Sequence, residues 1–238
     1  IGGVLFITDA DTLPHTGAVL RLDLSGIGAT EAKVVNVSDG GCHCAFTSSE
    51  GAFRSALEQR IASLKQGFAK QIETAQSGAA RVASAMEHMI ESGALSLDAL
   101  FDTDYKPIDG TDPLQVSTRA LSSLERALPD IQEEILKNSS GMAFCAAVDR
   151  NGYLPVHNLI FSKPQKPDDP AWNTANCRNK RIFDDRAGLS AARNMRPYLV
   201  QSYPRDMGGG NIIWMQEIDA PILVQGRHWG GFRTAYKL

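Results

Sequence analysis

Hydrophobic and polar positions follow three regimes along the chain. Residues 1 to 47 contain short runs rich in Val, Leu, Ile and Phe, "GGVLFIT", "AVLRLDL" and "AKVVNV…CHCAFT", broken by "LPHTG", "SGIGAT" and "SDGG". Such punctuated runs predict the strands of a small barrel or sheet. So short a segment is small for an independent core, and the expectation is that its first strands lie upstream. From about Glu50 to Ser92 there is no proline, and Leu57, Ile61, Leu64, Phe68, Ile72, Ala75, Ala79, Val82, Met86 and Met89 recur in steps of three and four. One extra four-residue step around Phe68 makes this a heptad seam with a stutter. A single helix of roughly 40 residues would be about 60 Å long, so residues 48–94 are expected to form a dimerising connector. A helical hairpin, or a helix packed on its own domain, is the alternative; the unbroken period favours the connector.

Residues 95–238 read as an α+β domain. "SLDALFDTDYKPIDGTDP" is turn-rich, and "LQVSTRALSSLERALPDIQEEILKN" predicts one or two helices interrupted near Pro129. "GMAFCAAVDRNGYLPVHN" reads as a hairpin around an Asp-Arg-Asn-Gly turn. "KPQKPDDPAW" is a proline-rich loop and "NCRNKRIFDDRAGLSAARN" short helix and turn. "YLVQSY", "NIIWMQEI", "PILVQ" and "GGFRTAYK" supply further strands, with Gly226 in a turn and Gly230 and Gly231 where the backbone bends or meets something closely. One leading helix and about five antiparallel strands leave one sheet face, with the loops over it, as the natural small-molecule pocket.

Composition narrows the function classes. The 238 residues are 43% hydrophobic and 21% charged, ordinary for a globular chain. A formal charge of −3, with arginines interleaved with Asp, offers no field for nucleic acid. No run of 18 apolar residues and no basic-then-apolar N-terminus occurs, and the chain begins without Met. It therefore reads as a fragment of a larger parent, cytoplasmic itself although the parent can be membrane-anchored. Cys42, Cys44, Cys145 and Cys177 do not form a disulfide framework, which fits a reducing compartment. "CHC" lacks the spacing and ligand number of a zinc site, so no metal is expected and its cysteines read as core. No Gly-x-Ser-x-Gly, His-Glu-x-x-His or glycine-rich phosphate loop is present, so the chain is not expected to be an enzyme. Cys145 sits mid-strand as a core thiol; Cys177, beside Arg178, is the one thiol whose pKa that neighbour would lower.

"VDRNGYLPVHN" and "DAPILVQGRHWGGFRTAYK" resemble the sensory domains of bacterial methyl-accepting chemotaxis proteins, the PAS-like Cache family. The shared pattern is a D-x-x-G-Y turn in the first hairpin, then a P-I strand, a G-x-x-W-G turn and an R-x-x-Y strand at the end. "NKRIFDD" and "QSYPRDMGGG" also look like the chemoreceptor version, and the likeness covers about residues 95–238. It implies a module that binds a small ligand and relays occupancy through a dimerising helix to a signalling module outside this sequence. A fainter likeness, in "IGGVLFITDADTLPHTGAVLRLDL", is to a PilZ barrel entered after its second motif, with Gly2 and Gly3 closing an Asp-x-Ser-x-Gly-Gly stretch. PilZ domains bind cyclic di-GMP through an arginine-rich segment and that Asp/Ser motif, both missing here; "NVSDGG" fits Asn-x-Ser-x-x-Gly but no Arg pair precedes it. A truncated barrel is thus preferred over a nucleotide site, because phosphate capture depends on guanidinium groups.

An anionic or zwitterionic ligand calls for guanidinium groups and aromatic walls. The candidates are Arg178, Arg181 and Arg205 for charge, Tyr153, Phe183, Tyr203 and Trp229 for walls, and Asp206 or His157 for a polar contact. The bland reading is that Arg181 with Asp184 or Asp185, and Arg205 with Asp206, are loop ion pairs, and that Trp229 is core. Two alternatives share the fold: a haem- or thiol-based redox or gas sensor, and a cyclic di-GMP module. No Cys-x-x-Cys-His segment exists for covalent haem; His157, His228, Met207 and Cys177 are the nominal axial ligands for a noncovalent one.

Overall fold

The computed structural model describes residues 3–7, 13–38, 41–47 and 51–238. It divides into two compact units, Ile1–Ala69 and Lys70–Leu238. In the first, β1 (Gly3–Ile7), β2 (Val19–Leu24), β3 (Gly28–Ser38) and β4 (Gly41–Phe46) form an antiparallel sheet of order β1-β4-β3-β2. Period-two alternation places Ala32 and Val34 inward between exposed Glu31, Lys33 and Val35, and Cys42 and Cys44 join them as buried core. The strands at the two edges, β1 and β2, do not pair with each other, so among the described residues the sheet is open; no closed barrel is formed, and the sheet alone does not establish the expected partial barrel. Gly2, Asp39 and Gly40 of the nucleotide-motif readings lie outside the described residues.

The expected long helix is divided at Phe68, directly after Gly67, a weak helix former, into α1 (Gly51–Gly67) and α2 (Ala69–Glu91). In the first unit α1 sets Phe53 edge-on to Phe46, with ring centroids 5.5 Å apart, and leaves Ile61 and Leu64 exposed. In the second unit α2 follows the packed-helix alternative. Its Ala75, Ala79, Val82 and Met86 are buried in the core of their own unit rather than set aside for a partner.

The second unit continues through α3 (Leu97–Leu100), β5 (Lys106–Ile108), β6 (Gln115–Ser117), α4 (Leu121–Asn138), β7 (Met142–Asp149) and β8 (Tyr153–Leu154). There follow α5 (Pro170–Asn176), β9 (Arg181–Ile182), α6 (Arg186–Ala192), β10 (Leu199–Asp206), β11 (Ile212–Val224) and β12 (Arg227–Lys237). The main sheet is antiparallel, of order β10-β11-β12-β7. Three expectations change. Pro129 lies inside one continuous α4, whose Leu128 and Gln132 are buried on either side of it, so packing outweighs the missing N–H. The turn after β7 forms, but Asp149 Oδ1 accepts the N–H groups of Asn151 and Tyr153 and directs β8 away to pair with β9, while β12 takes the edge of β7. The two runs around Pro221 are one strand, since β10 pairing ends at Asp219 and Pro221 has a neighbour on one side only.

The sheet has two covered faces. Ile218, Ala220 and Ile222 of β11, Phe232 of β12 and Cys145 and Ala147 of β7 meet α2 and α4 in the main core. Phe144, Ala146, Val148, Met215 and Ala235 alternate onto the other face, over which α6 crosses β10, β11 and β12. Gly231 is where α6 comes closest: a Cβ there would sit 2.5 Å from the Ala191 carbonyl oxygen. On the helix face, a Cβ at Gly78 would sit 2.2 Å from Phe232 Cε1. Gly78→Ala should therefore cost about 1–3 kcal/mol as overpacking, whereas Gly67→Ala, with nothing within 4 Å, should be neutral or stabilising; chemical denaturation of both variants checks the contrast.

Candidate functional site

The segment that roofs the second face is fixed by backbone bonds before its side chains matter. Arg178 N–H donates to the Phe161 carbonyl at 2.7 Å, Lys180 N–H to that of Leu154 at 2.6 Å and Phe183 N–H to that of Gly152 at 2.9 Å. Buried Asn173 holds the preceding proline-rich loop, donating to the carbonyls of Asp112 and Lys166 and accepting from Lys166 N–H, each at 2.8 Å. These bonds set Arg178 and Arg181 over a cavity of about 460 Å³ between roof and sheet, a size within the usual range for small-molecule sites. From the sheet side Phe144, Tyr203, Arg205 and Arg233 face it, with His157 and Leu154 beside them.

Seven of the nine residues expected from the sequence line this one cavity: His157, Arg178, Arg181, Phe183, Tyr203, Arg205 and Asp206. Tyr153 and Trp229 do not. The Tyr153 hydroxyl donates to the Val116 carbonyl at 3.0 Å, so the residue is a buried strut. Trp229 lies in the core of the opposite face, its Nε1–H donating to the Leu100 carbonyl at 3.0 Å. Pairing jumps from Ile222↔Gly230 to Leu223↔His228, leaving Trp229 as the extra residue of a bulge, which resets the alternation of β12. His228, Met207 and Cys177 are likewise not among the lining residues. Burial raises the pKa of Cys177 against the pull of Arg181 and Lys166, contrary to the lowering expected from its neighbour.

The sequence reading missed Arg233, Phe144 and the acids behind them. Glu217, fully buried, takes both Arg233 Nε and Nη2, at 2.7 and 2.9 Å. Gln201 Nε2 donates to Glu217 and Asp219, both at 3.1 Å, and to the Ala187 carbonyl at 3.0 Å, tying sheet to α6. Burial, then the neighbouring Glu217, pushes the Asp219 carboxyl well above the ordinary range, against the pull of Arg233 and Gln201. Burial alone would disfavour the charge of Arg233, but Glu217 more than restores it. The signal in the sequence was charged residues at alternate positions of otherwise apolar strands, Glu217 and Asp219 in "MQEID" and Arg233 in "GGFRTAY".

The remaining guanidinium groups are not neutralised this way. Arg205 is 2% exposed, stacks between Phe144 and Phe161 at 4.4 Å from each ring centroid, and has no hydrogen bond or ion pair among the described residues. Arg178 donates Nη1 to the Thr174 and Asp206 carbonyls at 2.9 and 3.0 Å, and with Arg181 lies over Phe183. Burial, then Arg205 and Arg181, brings Arg178 down to about 9; burial brings Arg205 down to about 10. Both stay charged at neutral pH. Burial and the same arginines depress His157 far below the ordinary histidine range. Its Nδ1 accepts from Asn158 N–H at 2.7 Å, so the neutral ring carries its proton on Nε2 and is a donor. The site is therefore a set of donors and buried cations with aromatic walls, suited to holding an anion and lacking a paired nucleophile and base.

No protein-family model matches the chain, and no curated protein matches it. Among the described residues there is no cluster of three or more His, Cys, Asp or Glu able to hold a metal ion, and no helix is long and apolar enough to cross a membrane.

Two predictions follow from the charge pattern. Arg205→Met should make the ligand-free protein more stable by about 1 kcal/mol or more, because it removes a buried charge that nothing meets, whereas Arg233→Met should cost about 3–5 kcal/mol by stranding Glu217; urea unfolding of the two variants tests the opposite signs. Affinity for an anion whose own charge is constant should be flat between pH 6 and 8, since His157 is already neutral there and the guanidinium groups keep their charge. Calorimetric titration across that range would reveal a tightening below pH 6.5 if His157 protonation were involved instead.

Proposed function

We propose that residues 70–238 are a ligand-sensing module that captures a small anionic molecule in the arginine-lined cavity and reports its occupancy through α2. The observation that carries this reading is Arg205, a buried cation facing a cavity with no counter-charge. Burying such a group unpaired is costly, and an arriving anion relieves that cost. The route to α2 is short. Arg233 lines the cavity while the adjacent Phe232 turns to the opposite face and fills the notch at Gly78. A ligand that prefers one placement of β12 would thus bias the placement of α2.

This arrangement supports the PAS/Cache-like reading, in which a leading helix covers one sheet face and inserted helices and loops make a pocket on the other. It supports a chemoreceptor context by that resemblance alone, with a downstream signalling module outside this sequence. Homodimerisation enters as part of the same proposal through α1, whose Ile61 and Leu64 are exposed. Native mass spectrometry of the purified chain, joined to hydrogen exchange, tests the proposal. A dimer carrying a small acidic molecule, with protection of α2 changing when that molecule is removed, is the expected result. A haem-sized mass would favour the haem alternative, and α2 exchange indifferent to occupancy would defeat the relay.

A further inference from the structure

We infer that the ligand is a dianion, with an acidic group for each of Arg178 and Arg205, and that zwitterions and monoanions are weak competitors. The inference rests on the reading of the cavity as a ligand site and narrows its chemistry. Five arginines line the cavity, Arg178, Arg181, Arg186, Arg205 and Arg233. Against them stand Asp185 and Asp206 in the lining and Glu217 and Asp219 behind Arg233, so positive charge is in excess. Glu217 is committed to Arg233. Asp185 Oδ1 caps α6, accepting from Ala187 and Gly188 N–H, and Asp206 Oδ1 accepts from Gly208 N–H. Asp206 also draws Arg181, the largest electrostatic influence on that guanidinium.

The pair with no carboxylate beside it is Arg205, buried, and Arg178, partly buried, and the two repel each other. A ligand with one negative charge would satisfy one guanidinium and leave the other desolvated. An amino-acid zwitterion would add an ammonium group to a field already positive. The neutral polar side chains agree, since His157 offers Nε2–H and Tyr203 a hydroxyl whose proton burial holds in place. An acceptor-only ligand with two charges, of dicarboxylate or phosphate-monoester type, meets all of these donors together.

Calorimetric titration of the full chain with matched probes tests this: succinate against butyrate and aspartate, and phenyl phosphate against benzoate. The dianion of at least one set should bind about tenfold or more tightly than its partners. In Arg205→Met, which removes a charge but no hydrogen bond, that advantage should disappear. Arg178→Met serves as the second variant and should also erase it. Equal binding of butyrate, benzoate or aspartate, with affinity lost in Arg178→Met, would overturn the dianion assignment while leaving an anion site in place. If no probe binds at millimolar concentration and neither variant alters the ligand retained in native mass spectra, both the assignment and the sensor reading fall.

Discussion

A guanidinium taken out of water needs a counter-charge, and the sheet of residues 70–238 provides one at Arg233 and withholds one at Arg205. The first case organises the sheet. Glu217 and Arg233 face each other from neighbouring strands in a bidentate pair, and Gln201 extends the network to the third strand and to α6. Such a pair contributes little net stability against an apolar replacement, yet losing either member is severe. It therefore fixes where β10, β11 and β12 stand relative to the roof. The second case is what the proposed ligand reading rests on. Arg205 is held by aromatic faces rather than by an anion, an attraction of about 1–2 kcal/mol that only partly offsets desolvation. The site is left short of negative charge, and that shortage is what a ligand can supply.

The strand β12 joins these two demands because successive side chains of a strand point to opposite faces. Arg233 meets the cavity and Phe232 meets α2, so neither face can be repacked without the other noticing. Gly231, pressed under Ala191, prevents the strand from lifting towards the roof, and Gly78 admits the Phe232 ring more closely than any side chain would. Tight packing on both sides makes such a strand respond by small discrete shifts rather than by gradual deformation.

Much of this was legible in the sequence because it depends on short-range pattern. Arg178, Arg181 and Phe183 lie within six residues, and Tyr203, Arg205 and Asp206 within four, so their convergence needed only that the two stretches face one cavity. Trp229 was misplaced because a bulge of one residue reverses the alternation, and no local property of "GRHWGG" announces on which side the extra residue falls. Tyr153 was misplaced for a related reason. The hairpin expected around Asn151 and Gly152 would have placed it beside β7, whereas the Asp149 side chain turns β8 away to pair with β9. The seam of residues 57–89 carried the right period, but a period does not say whose surface it meets. Beyond Phe68 it meets its own sheet. The open sheet of the first unit shows the same limit, since strand runs are local and closure is not.

Asp219 explains why the positive excess survives. It lies two residues from Glu217 on the same face of β11 and is completely buried. Were it ionised, the sheet would set two carboxylates against Arg233, and the second would reach into the field of the other arginines. Burial and the neighbouring Glu217 push its carboxyl up, against the pull of Arg233 and Gln201, as like charges at close quarters in a dry interior disfavour each other. Gln201 holds the carboxyl in place by donating its amide N–H to Oδ2. The negative charge that the strand can set against the cavity is thereby weakened from within. On the proposed reading, that leaves the neutralisation of Arg178 and Arg205 to a ligand, although Asp219 itself is not among the lining residues.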